Sequence, residues 1–116
     1  MQYLLMIYAN EQQTAGMDAA AVKTMMEGYT EFTKSIVQTG QLKAGDRLRP
    51  VSTASTVRVR DGKTTVTDGP FAETREQLGG YYLVEAKNLD EALGLAARIP
   101  GARYGSIEVR PIWPMS

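Results

Sequence analysis

The chain has no cysteine and no histidine. The first absence rules out a disulfide framework, a thiolate nucleophile and a zinc-thiolate centre. The second removes the usual neutral-pH acid-base group, so proton transfer must fall to Asp, Glu, Tyr, Lys or Arg. An excess of either charge is also lacking: 13 basic residues balance 13 acidic ones in 116. No global field therefore draws the chain to nucleic acid or to an anionic membrane, and neither is an expected partner. Long apolar runs are missing too. The start, Met1 to Tyr8, is apolar but lacks a basic leader and a small-residue cleavage site, and it meets polar Asn10 too soon to span a bilayer. A cytoplasmic location is the expectation. Metal and cofactor signatures are absent, with no P-loop lysine or GxGxxG pattern beside Gly79-Gly80.

What is present fits one domain over residues 1–116, since 43% apolar residues suffice for one core and the length is short for two. Residues 2–8 are apolar at both alternating sets, which predicts a central strand covered on both faces. Asp18 is placed to cap a helix carrying Val22, Met25, Met26, Tyr29, Phe32, Ile36 and Val37 at helical spacing, with Gly40 as its stop. Residues 41–50 read as irregular. Asp61-Gly62 between 56–60 and 63–67 predicts a hairpin, because its turn needs positive φ. Its Val57, Val59 and Val66 are expected in the core. A strand over 81–87 follows, then a helix from Asn88 with Glu91 at the capping position and an Ala92, Leu93, Ala96, Ala97 stripe. A last strand covers 105–112.

This order predicts an α+β fold: a ferredoxin-like sandwich whose antiparallel sheet carries two helices on one face, with an added β-hairpin. The other face, expected to carry Arg58, one of Tyr81 and Tyr82, and either Glu108 or Arg110, calls for a second subunit. A homodimer with a cleft between sheets is the expected assembly.

Asp68-Gly-Pro-Phe71, continued by Ala72 to Leu83, resembles the defining signature of DGPF-type YCII-related proteins. The resemblance extends through Gly45 to Leu48, Thr56 to Gly62, Asn88 to Ala92 and Glu108 to Ile112, and so covers most of the chain. It implies the dimeric α+β barrel superfamily and, through gene neighbourhood with sigma factors, a conceivable regulatory protein partner. The His-Asp pair proposed for the broader group has no counterpart in a chain without histidine.

The candidate chemistry follows from residue type. Asp68, fixed before Gly-Pro and open to desolvation by Phe71 and a tyrosine, is a candidate acid-base group whose alternative is an Asx-turn to its own amides, and Phe71 is itself a candidate substrate contact. Asp46, beside Gly45, is a second catalytic candidate, with a turn or cap role as the alternative. Arg58 and Arg110 suit a carboxylate ligand through their planar donor forks, against pairing with Glu85 or Glu108. Glu73 and Glu76 would share one side of a helical turn around Arg75, where they could bind a cation or share a proton, with Glu76 a candidate substrate contact; the alternative is a solvated charged face that caps a short helix. One of the two tyrosines, taken as Tyr82, is expected to line the cleft. Two functions fit: a small cofactor-independent enzyme acting on a small carboxylated molecule, or a noncatalytic dimer binding a small ligand or a regulatory protein.

Overall fold

A computed structural model describes residues 1–115. Its strands are β1 (Gln2–Ala9), β2 (Leu42–Arg47), β3 (Ser55–Arg60), β4 (Lys63–Asp68), β5 (Gln77–Glu85) and β6 (Ser106–Pro111). The helices are α1 (Glu11–Ala15), α2 (Ala19–Gln38) and α3 (Leu89–Arg98). Four strands form one sheet in the order β2-β5-β1-β6, each neighbour antiparallel. Each long helix thus carries the chain over one intervening strand, the split βαβ arrangement of a ferredoxin-like sandwich.

The helices begin where their caps dictate. The Asp18 carboxylate accepts from the Ala21 amide at 2.7 Å, and the Asn88 side chain accepts from the Glu91 amide at 2.9 Å. Glu91 reaches back to the Lys87 amide at 3.2 Å, tying down the entry to α3. Both helices lie on one face of the sheet. Phe32 and Ile36 of α2 and Ala92, Leu95 and Ala96 of α3 close over Tyr3, Leu5 and Val84. Leu5, Ile36, Val84 and Ile99 are essentially sealed from water, each stabilising the fold by about 1.5–3 kcal/mol. Leu95 holds the place expected for Leu93, which is exposed, because Ala92, Leu95, Ala96 and Ile99 form the actual i, i+3, i+4, i+7 stripe. On α2, likewise, Met26 and Val37 face water.

Two further expectations are corrected. Residues 42–47 are a strand, not irregular: β5 recruits them by pairing, and Gly45 lets the backbone close on Tyr82, where a Cβ would meet the ring at 3.0 Å. The hairpin forms around Asp61 (φ 53°) and Gly62 (φ 75°) as the Asp-Gly signal requires. It does not join the sheet, however. Val57, Val59 and Val66 are 59%, 56% and 65% exposed instead of lying in the core. The hairpin is an arm that packs on neither the sheet nor the helices, and only Thr56 within it is even half-buried.

Candidate functional site

Alternation divides the sheet into a helix side and an open side. Register fixes the open side: Tyr81 of β5 stands opposite Met6, Met6 opposite Glu108, and Asp46 of β2 opposite Tyr81. One row across four strands therefore reads Asp46, Tyr81, Met6, Glu108. The adjoining row is Ala44, Leu83, Leu4, Arg110. Between polar edges lies an apolar floor of Leu4, Met6 and Leu83, all half-buried.

At the β2 edge, the Tyr81 hydroxyl donates to Asp46 Oδ2 at 2.6 Å. That hydrogen bond and the carboxylate's charge hold the phenol above its ordinary value of 10.0, because both favour the protonated ring. Tyr81 is thus a proton donor at neutral pH, and Asp46 an acceptor with one oxygen engaged. At the β6 edge, Arg110 pairs with Glu108. With strands about 4.8 Å apart, the backbones at Asp46 and Glu108 are about 14 Å apart. Arg110, opposite Leu4 in the adjoining row, has a long, exposed side chain that can narrow the gap over the floor.

The remaining candidates divide by location. Glu76 sits just before β5 and accepts from the Ser106 hydroxyl at 2.8 Å, at the end of the open side. No helical turn carries Glu73 and Glu76: residues 70–76 are a loop, pinned by Asn10 Nδ2 donating to the Arg75 carbonyl at 3.1 Å and by the Glu11 amide donating to Gln77 at 3.0 Å. Asp68 ends β4 at the root of the arm, opposite Ser55, and is exposed. Among the described residues no hydrogen bond reaches its carboxylate, so the Asx-turn is not formed. The turn is made instead by Gly69 (φ 96°), whose amide donates to the Ala54 carbonyl at 2.7 Å. Phe71 is 78% exposed and does not desolvate Asp68. Arg58 lies within the arm opposite Thr65, off the sheet on which it was expected.

Tyr82 is on the helix side, in phase with buried Val84. Its hydroxyl shares a 2.7 Å hydrogen bond with Thr33, and its ring meets Phe32 edge-on at 5.2 Å. The open-side tyrosine is therefore Tyr81. The parity of Tyr82 with Val84 and Ala86, against Tyr81 with Leu83, was the available signal. The structure brings Asp46, Arg110 and Glu76 onto one face and leaves Asp68, Phe71, Arg58 and Tyr82 elsewhere.

One open groove is lined by Met1, Gln41, Glu85 and Lys87 and another by Lys23, Met26, Glu27 and Thr30; neither includes Asp46, Tyr81 or Arg110. Among the described residues, no three carboxylates gather closely enough to hold a metal ion, and no helix is long and apolar enough to cross a membrane.

Comparison with known proteins agrees with this architecture. The solved structure of 5-chloro-2-hydroxyhydroquinone dehydrochlorinase from Burkholderia phenoliruptrix AC1100, in complex with 2,5-dihydroxybenzoquinone, superimposes with a TM-score of 0.50 at 12% identity, over 100% of this chain and 96% of that one. At that identity the likeness concerns the fold alone, an α+β sandwich. An uncharacterised protein of Rhizobium meliloti (strain 1021) is 39% identical over 114 residues, 97% of this chain and 92% of its own length. The sequence pattern of the YCII-related domain matches residues 1–116, and by that match and this relative the chain belongs to the YCII-related family.

Proposed function

We propose that this chain is a small enzyme that moves a proton on a small carboxylated molecule, bound on the open sheet face and enclosed by a second copy. One observation carries the reading: the Tyr81 hydroxyl is hydrogen-bonded to Asp46 at 2.6 Å beside an apolar floor. A phenol kept protonated next to a carboxylate gives a donor and an acceptor in one place, which is what acid-base catalysis asks of a site without histidine. Leu4, Met6 and Leu83 offer a surface for the substrate's apolar body. Arg110 supplies a fork of donors for its carboxylate. Asp46 takes the proton on its free carboxylate oxygen and later returns it, while Tyr81, whose single O–H is engaged by Asp46 Oδ2, orients that carboxylate. These groups all belong to the chain, and the proposed reaction draws on no added cofactor. The fold-related dehydrochlorinase is an enzyme seen with a small quinone, which is in keeping with this use of the fold; no residue role is transferred from it. A cytoplasmic homodimer is part of the proposal.

The test is a thermal-shift screen of small carboxylated metabolites, followed by turnover assays with the hits. A ligand at a hundred times its Kd stabilises by about 2.7 kcal/mol, a shift well within reach of such a screen. Arg110→Ala is expected to weaken binding at least tenfold. Asp46→Asn and Tyr81→Phe are expected to retain binding and lose turnover. Hits that bind Arg110→Ala and Asp46→Asn as well as wild type, with turnover unaltered, would refute the assignment.

A further inference from the structure

The chain exposes more surface than a finished monomer of its size. Folded monomers of 12.7 kDa expose about 6,200 Å² by the usual area scaling, whereas this chain exposes 8425 Å², an excess of about 2,200 Å². Its radius of gyration is 16.2 Å, against about 13 Å for a compact domain of this length. The shape explains both figures. The molecule measures 47 × 46 × 19 Å, and 19 Å is the thickness of one sheet and one helix layer. The β3–β4 arm therefore projects beside the two-layer body and is stacked on neither of its faces.

The arm is chemically two-sided. Val57 and Val66 are paired across the strands, and Val59 follows Val57 on the same side. The reverse side carries Arg58 opposite Thr65 and Arg60 opposite Lys63. A lone two-stranded hairpin is at best marginally stable in water, and three bare valines on one side make it less suited to stand alone. The excess area sets the identity of the cover. A stable interface takes about 800 Å² from each partner, and the excess here is well over twice that. The exposed C-terminal residues Trp113 and Met115 contribute part of it, but leave ample area for the arm and the open sheet face.

We infer that the β3–β4 arm is a clasp, whose Val57, Val59 and Val66 side packs on a second copy of this chain and holds the two open sheet faces together over the Asp46–Tyr81 site. On the single chain Asp46 is exposed and Tyr81 half-buried, so a second copy laid over the open face would supply walls to the site. The inference rests on the proposed site for the purpose of the closure, but not for the clasp itself.

Sedimentation equilibrium of the full chain decides between a clasp and a free arm. Wild type at tens of micromolar is expected to run at twice the 12.7 kDa chain mass. The triple change Val57→Thr, Val59→Thr, Val66→Thr keeps strand-forming shape while placing hydroxyls in the contact, and is expected to weaken the dimer at least a hundredfold. Arg60→Ser, on the reverse side, is expected to leave the dimer constant within threefold. A monomeric wild type, a triple variant as dimeric as wild type, or equal weakening by Arg60→Ser would overturn the clasp. Should the triple variant lose its far-UV dichroism, hydrogen exchange on wild type takes its place: arm amides slow at high protein concentration and fast on dilution support the clasp, and concentration-independent exchange overturns it. Asp46→Asn is the separating control. It is expected to stay dimeric and lose turnover: unaltered turnover in a dimeric Asp46→Asn overturns the proposed site and leaves the clasp standing, whereas a triple variant as dimeric as wild type overturns the clasp and leaves the site standing.

Discussion

Gly79 and Gly80 are adjacent, yet the structure assigns them opposite sensitivities to the same methyl group. A Cβ on Gly80 would stand 2.9 Å from the Asp46 carbonyl oxygen and 3.5 Å from the Arg47 Cα. Both are backbone atoms of the neighbouring strand, so relief cannot come from a side-chain rotation. Strand β2 must move away from β5, at the row where Tyr81 meets Asp46. Overpacking of this kind costs about 1–3 kcal/mol. With about 2.1 cal/mol/K of unfolding entropy per residue, a chain this long loses about 4 °C of Tm per kcal/mol, which sets the expected drop for Gly80→Ala at about 4–12 °C. A Cβ on Gly79 would meet only the Ile7 carbonyl oxygen, at 3.9 Å, an ordinary contact, and Gly79 has no positive φ. Gly79→Ala therefore leaves Tm unchanged or raises it slightly, since alanine reduces the freedom of the unfolded chain by about 0.4–1 kcal/mol. The assay is thermal and urea unfolding of both variants at one protein concentration, so that any dimer contributes equally. Gly80→Ala melting with Gly79→Ala would refute the close approach of β2 to β5, and with it the geometry on which the Asp46–Tyr81 contact depends.

Asp46→Asn removes the charge that holds the Tyr81 phenol up, so that ring is expected to ionise at lower pH than in wild type; phenolate absorbance, with Tyr81→Phe subtracted to isolate one ring among six, reads the change, and an unaltered titration would count against the contact. The same shift has a sign in stability. Because the folded value is the higher one, Tyr81's contribution is complete below 10.0 and is lost as pH rises through the raised value, so wild type should lose its margin over Tyr81→Phe only on the alkaline side. Asn88→Ala removes the cap of α3 and is expected to cost about 1 kcal/mol in urea unfolding, with Gly in its place costing only a few tenths.

Local chemistry makes much of the fold legible, and the errors begin where a packing partner has to be named. Asp18 and Asn88 announce helix starts because a cap is a contact over three residues, and Asp61-Gly62 announces its turn because only certain residues take positive φ. The valines of the arm show the limit. Alternation says that Val57, Val59 and Val66 share a side, but a side can be covered by the chain's own helices or by something else, and the pattern is identical in both cases. Strand β2 fails for the complementary reason. Lys43-Ala-Gly-Asp-Arg47 has little intrinsic preference for a strand, and it becomes one because β5 offers a paired edge and Gly45 fits against Tyr82.

The site depends on a further nonlocal fact, the register between strands far apart in sequence. Asp46 and Tyr81 are 35 residues apart, and each alone invites a bland reading: a turn carboxylate and one of two adjacent tyrosines. Choosing Tyr82 for the cleft reverses a parity. Val84 and Ala86 are buried, which puts Tyr82 in phase with the core and sends Tyr81 to the open side. Once the phase is fixed, the pairing of β2 with β5 sets Asp46 opposite Tyr81, and a hydrogen bond follows from strand spacing. The Asp68-Gly-Pro-Phe segment takes a different part. Its turn roots the arm, with the Gly69 amide on the Ala54 carbonyl and the Thr56 hydroxyl donating to the Gly69 carbonyl at 2.8 Å. A segment that fixes the arm's departure from the body would govern the proposed clasp, and through it the closure of a site to which Asp68 contributes no atom.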